Sequence, residues 1–238
     1  MFGEYIKDMT ALADIISEAM IYIDDVRLQE QLSTNPALFY RRMSAYVSSA
    51  MPLLSSPPEL LDYVQGSYTE AEYDDYTWKS TVESTTDETE VDTGCTGYDL
   101  CSIVTYSEDG MYVTPYTDFT YDKETGIVTF GIQEAEDIEY EIDFYKDGET
   151  NELTYTMKRL WGLAMAIVWD ERFDRTWLSI TPKLKDSSFQ TVNESTYMDK
   201  LAIRKVTNRQ AFQDELRKYE QDNAYRNVGR TRSRWSLV

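Results

Sequence analysis

The segment Leu153–Trp169 has almost no polar face. Tyr155, Met157, Leu160, Trp161, Leu163, Ala164, Met165, Ile167 and Val168 all fall within it. A helix this apolar belongs at the centre of a helical bundle or inside an oligomer. The longest uninterrupted apolar run, Leu160–Trp169, is only about ten residues, too short to span a bilayer. No membrane association is expected, and other parts of the chain or other subunits must cover this helix.

Two amphipathic stretches near the start are suited to that. Phe2, Ile6, Met9, Leu12, Ile15, Ile16, Met20 and Ile23 recur at three- and four-residue spacing, which predicts one helix. Asn35-Pro36 opens a second, with Pro36 in its first turn. Leu38, Phe39, Met43, Tyr46, Val47, Ala50 and Met51 form its stripe, and Pro52 and Ser55-Ser56-Pro57-Pro58 close it. A short helix over Glu59–Val64 follows, ending near Gly66.

Periodicity then changes from helical to alternating. Thr77–Glu83, Leu100–Tyr106, Met111–Pro115, Phe119–Tyr121, Ile127–Ile132 and Ile138–Tyr145 read as strands. Ser107–Gly110 and Asp122–Gly126 are turn signals, and Gly126 is expected at positive φ. In the last strand Ile138, Tyr140, Ile142 and Phe144 face a core. Glu139, Glu141 and Asp143 are expected to face solvent. After the apolar helix, Trp177–Ile180 reads as a possible strand limited by Pro182. Ser195–Arg204 and Gln210–Asn223 read as two helices, and the chain from Arg226 as extended. The expected fold class is α+β: a helical bundle core (1–66 and 150–225), an inserted antiparallel β-sandwich or barrel (67–149) and an extended tail (226–238).

Charge follows the same division. Glu59–Glu152 holds 26 Asp and Glu against three Lys and no Arg, a net −23; Lys200–Val238 holds ten Lys and Arg against four acids, a net +6. The total of −20 disfavours nucleic-acid binding by the molecule as a whole. Met1–Gly3 leads into Glu4 and Asp8 without a basic segment, so no secretory signal is expected.

Histidine is absent, which excludes Ser–His–Asp, Cys–His and His-ligated zinc chemistry. Cys95 and Cys101 match no zinc pattern, leaving free thiols or a short-loop disulfide. The acidic strands could offer oxygen ligands to Ca²⁺, but no EF-hand loop is present and a solvated face is the simpler expectation. With 43 acids, a carboxylate pair at glycosidase spacing carries no specificity. Neither metal nor cofactor is expected, and no enzymatic activity. Trp161, Trp169 and Trp177 fit core or interface packing better than a ligand platform. Arg41-Arg42 reads as a surface pair.

The most specific local feature is the tail, with Tyr225, Arg226, Arg230, Arg232, Arg234 and Trp235. Alternate Arg residues on an extended strand would point to one side. Such a row ending in Trp suits an acidic protein groove. Phosphate binding and a merely solubilising role remain open.

The layout, the helical segments Ser195-Thr196-Tyr197-Met198-Asp199-Lys200-Leu201 and Glu220-Gln221-Asp222-Asn223-Ala224-Tyr225-Arg226-Asn227, and the basic tail together resemble a tailed-phage neck protein. The class is the head–tail connector, also called adaptor or head-completion protein. The resemblance implies a structural virion protein made in the host cytoplasm and placed at the neck. It implies a dodecameric ring bound to the portal protein and to a tail or second neck protein. Tyr225–Val238 would dock on the portal, and genome DNA would pass without specific binding. An acidic wall suits that passage, because it repels phosphate. The alternative is a tail-completion or decoration protein whose β domain binds a partner or glycan. An acidic DNA mimic fits less well, since it would lack the basic tail.

Overall fold

The computed structural model describes residues 9–23, 25–80, 89–107, 113–131, 138–180 and 193–235, and within 173–201 and 224–235 only the backbone. The fold is mixed α+β, and the described residues form six α-helices and three antiparallel sheets. Expectations for Phe2, Ile6, Val82, Glu83, the Ser107–Gly110 turn, Ile132 and Pro182 fall wholly or largely outside these residues.

The N-terminal stretch is not one helix. Met9–Ala11 is a strand, β1, and helix α1 covers only Leu12–Met20. β1 pairs with β9 (Glu149–Asn151), and that partner lies too far along the chain for local periodicity to reveal. Helix α2 (Val26–Thr34), begun by an Asp25 side chain that accepts from the Arg27 amide, was not anticipated. Its apolar positions are sparse, and only Leu28 is buried. Helices α3 (Pro36–Ala50) and α4 (Pro58–Gln65) lie where their Pro and stripe signals put them, joined by a 3-10 turn at Met51–Leu54.

Helix α5 (Tyr155–Ile180) packs against α1, α3 and the 3-10 turn, and against α6 (Asn193–Trp235). Leu160, Trp161, Leu163, Ala164, Met165 and Ala166 are completely buried. The apolar circumference over Leu160–Ala166 is thus covered within one chain, while Tyr155 at the start of the helix is 70% exposed. At Gly162 a Cβ would lie 2.9 Å from Glu18 Cγ and 3.0 Å from the Ala19 amide, so α1 and α5 touch there through backbone. The Trp161 indole donates to the Val47 carbonyl at 3.1 Å.

Residues 177–180 are helical, not a strand, since they complete α5. The two expected C-terminal helices are one, and it continues through the expected extended tail as far as Trp235. No proline interrupts it. Between the two expected helices, the Thr207 hydroxyl donates to the Ile203 carbonyl and Asn208 points inward to Asp170. These polar side chains are satisfied without breaking the helix, and Gly229 costs only about 1 kcal/mol relative to Ala.

The remaining strands form two facing sheets. One has the order β2 (Glu72–Lys79), β8 (Glu139–Lys146), β4 (Leu100–Tyr106), β5 (Val113–Tyr116). The other has β3 (Thr89–Asp92), β7 (Ile127–Phe130), β6 (Phe119–Asp122). Pro115 sits on edge strand β5, where a missing N–H is tolerated. Gly126 adopts φ +75° in the β6–β7 turn, as expected. Val91, Val128 and Phe130 of one sheet and Ile103, Tyr140, Ile142 and Phe144 of the other share a core. Phe130 and Tyr140 stack with Trp78 and Tyr116 at centroid distances of 4.6 to 5.5 Å. Much of the tyrosine richness is therefore spent inside this unit.

The other face of β8 is not all solvent. Asp143 is 2% exposed and Tyr145 1%, because α3 covers them. Alternation identified the apolar side but not this helix on the polar side.

Candidate functional site

Two features of the described residues bear on function: the α5–α6 pair with its C-terminal extension, and a cleft at the meeting of α2, α3, α5 and the segment 68–73. Both depend on how the helices are anchored.

Helix α3 is capped partly from its own sequence and partly from the β unit. The Asn35 side-chain oxygen accepts from the Leu38 amide at 3.0 Å, and its NH₂ donates to Asp143 at 2.6 Å. The Ala37 amide donates to the Ser102 hydroxyl at 3.0 Å. Ser102, Asp143 and Asp75 are cross-strand neighbours in one row of β4, β8 and β2. Burial raises the Asp143 pKa, opposed by the Asn35 hydrogen bond. Helix α1 has no local side-chain cap; instead Asp147, from the β8–β9 turn, accepts from the Ala13 amide at 3.1 Å. Burial likewise raises the Asp147 pKa. Carboxylates at helix N-termini are favoured by the exposed amides and the helix dipole.

Helix α6 is held to α5 by charge as well as by packing. Asp170, 1% exposed, accepts from Arg204 at 2.5 Å and Asn208 at 3.2 Å. Its pKa is raised by desolvation, with Arg204 pulling the other way. Farther along, Glu215 meets Arg159 at 3.3 Å and Lys218 at 2.9 Å, while Phe212 enters the core and Tyr219 packs at its margin. The helix then continues about four turns past Tyr219, roughly 24 Å, to Trp235.

Tyr225, Arg226, Arg230, Arg232, Arg234 and Trp235 all lie on this terminal stretch, so they are helical and not extended. Alternate spacing no longer aligns them. On a helix, positions 226, 230 and 234 share a row one turn apart, and position 232 falls elsewhere.

The cleft has a volume of about 640 Å³. Arg41, Arg42 and Tyr46 reach it from α3, Trp169 and Arg172 from α5, and Tyr68, Glu70 and Tyr73 from the segment before and within β2. Arg41 lies over the Tyr73 ring, 4.2 Å from its centroid, and 3.7 Å from Asp75. Arg172 lies 5.3 Å over the Tyr46 ring, which packs 5.1 Å from Trp169. The Tyr68 pKa is pushed up to about 12 by burial and by the Glu70 charge. The Trp169 indole N–H is buried without a hydrogen-bond partner.

Arg41 and Arg42 are therefore more than a surface pair, and Trp169 belongs to the cleft while Trp161 is core. The Trp177 side chain lies outside the described residues. Periodicity could not reveal this cleft, because its α3 and α5 walls come from segments more than a hundred residues apart. Among the described residues no group of three Cys, Asp or Glu could hold a metal ion. Cys95 and Cys101 are free thiols, and burial pushes both up, Cys101 to about 12. Neither has the depressed pKa of a reactive nucleophile. Among the described residues no helix is long and apolar enough to cross a membrane.

No protein-family model, curated protein or solved structure matches this chain.

Proposed function

We propose that the chain is a structural, non-enzymatic subunit of a tailed-phage neck, a head–tail connector that assembles as a ring between portal and tail. In this reading the helices around α5 are the bundle of the connector and the paired sheets its sandwich. The docking element is the C-terminal end of α6, a helical arm in place of a strand-like tail. Portal and a tail or second neck protein are the partners, and genome DNA passes without specific binding.

The observation that carries the reading is the length of α6, whose backbone runs on to Trp235 from the core contacts of Phe212, Leu216 and Tyr219. A helical end of about four turns is marginal alone in water, and burial against a partner would stabilise it. Its Arg residues give it a charge opposite to that of the β unit. The acidic β unit suits a wall along which DNA moves, since like charge keeps phosphates from binding.

Co-assembly with the portal protein encoded by the same genome tests the proposal. Deleting 226–238 should abolish portal binding while the thermal transition of the remaining protein is retained. Unchanged binding by the truncated protein would sink the docking role. Binding to duplex DNA should be weak at about 150 mM salt, and tight binding there would contradict the channel role.

A further inference from the structure

The contact between α5 and α6 carries a charge pattern that packing alone does not require. Arg159 and Asp170 of α5 meet Glu215 and Arg204 of α6, at 3.3 and 2.5 Å respectively. The two pairs lie eleven residues apart on each helix, about three turns or 16 Å. Both therefore fall on one side of each helix. Each helix supplies one arginine and one acid, in the reciprocal order that an antiparallel pair needs. Both acids are buried, Asp170 at 1% and Glu215 at 6% exposure. Asn208 adds a donor to Asp170, and Lys218 adds one to Glu215. A neighbouring pair, Arg209 with Glu171, is exposed on both sides and contributes little.

Apolar packing says little about how far along α5 this helix should sit. Among the described side chains of α6, Asn208, Phe212 and Glu215 are buried, with Ala211, Leu216 and Tyr219 at the margin of the core. Helix α5 offers an apolar surface nearly all round from Leu160 to Ile167. A slip of one turn would exchange one apolar neighbour of Phe212 for another, which cores tolerate.

The charges discriminate between registers where the apolar side chains do not. A slip of four residues in either direction takes Arg159 away from Glu215. One direction sets Glu215 opposite Leu163, and the other sets Arg204 opposite Ala166. Lys218 travels with Glu215 and offsets only part of that loss. A buried acid parted from its arginine costs far more than the intact pair contributes.

We propose that the two reciprocal ion pairs are a register lock. They fix where α6 stops along α5, and so how far its C-terminal end reaches past the bundle. Polar groups buried between helices are known to set register at a cost in stability. One turn of slip would shift the end of the helix by about 5 Å, enough to misplace any contact made there. The lock acts whatever the arm binds, so it stands or falls apart from the connector reading.

The test reads the register as a distance, by pulsed electron paramagnetic resonance on the full-length chain. Nitroxide labels are placed at two exposed positions, Ser48→Cys on α3 and Gln221→Cys on α6, with Cys95→Ala and Cys101→Ala as background. The native pairs should give one narrow distance. The apolar variant Arg159→Met/Asp170→Leu/Arg204→Met/Glu215→Leu should keep or raise the melting temperature. Its distance should nevertheless split into populations about 5 Å apart. A merely stabilising role would do the opposite, lowering the melting temperature and leaving a single distance. Should the apolar variant fail to fold, one pair decides. Arg204→Asp should broaden the distance, and Arg204→Asp/Asp170→Arg should restore it. Three results would overturn the proposal. They are a single unshifted distance in the apolar variant, no recovery on the charge swap, and release of α6 with no preferred distance.

Discussion

The helical unit and the β unit are stabilised differently. The helical core is broad and mainly aliphatic, with Leu, Ile, Met and Ala buried completely around α5 and only a few rings among them. The β core is a thin layer, and most of its volume is aromatic: Phe130, Tyr140 and Phe144 inside, with Tyr76, Trp78, Tyr98, Tyr116 and Tyr121 half-buried at the rim. A broad aliphatic core spreads its stability over many small contributions. A thin aromatic one concentrates it in a few rings whose edges are already wet.

Trp161→Ala should have the largest effect. It empties a fully buried site and leaves the Val47 carbonyl unpaired, and should cost about 3–5 kcal/mol or more in urea unfolding. Phe130→Ala should cost about 3–5 kcal/mol but act within the β unit, lowering near-ultraviolet circular dichroism before the helical signal at 222 nm falls. Simultaneous loss of both signals would show that the two cores melt as one.

The joint between the units supplies the next prediction. Asp143→Ala removes the partner of Asn35 and should cost about 1–3 kcal/mol. Asp143→Asn keeps an acceptor and should cost less, with a definite pH signature. The folded-state pKa of Asp143 is raised, so the folded protein holds this proton more firmly than the unfolded chain. Its contribution is fully present below the ordinary carboxylate pKa and is lost as pH rises through the raised value. The Asn variant should therefore gain on the native protein, in melting temperature, as pH is raised from about 4 to 7. Asp147→Ala, which uncaps α1, should cost about 0.5–2 kcal/mol and speed amide exchange in its first turn. The smallest effect should come from Lys146→Ala. Its pair with Glu72 is exposed, and the change should stay below about 1 kcal/mol.

What sequence made legible was whatever repeats locally. The stripe of α3, its Pro36 start, the all-apolar α5, the alternation in β8 and the left-handed Gly126 each depend on near neighbours. What it hid depends on distant ones. Met9–Ala11 is a strand because β9 offers it an edge. Asp143 is buried because α3 packs on that face of β8, where the Asn35 side chain that caps α3 donates to it. The Asn208 that looked like part of a helix break instead reaches inward to Asp170. The cleft is hidden for the same reason: Arg42 and Arg172 are unremarkable in their own segments and gain meaning only when α3 and α5 meet.

The two ends of the β unit meet at a single backbone bridge, Thr69 to Glu149, with reciprocal hydrogen bonds of 2.8 and 3.2 Å. Across such a pair the chain ends are only about 5 Å apart. A gene that lost or exchanged the codons between them would ask almost nothing of loop closure in the helical unit. The constraint on such an exchange lies in two caps. Any replacement module must return an acceptor to the first turn of α1 and another to the first turn of α3.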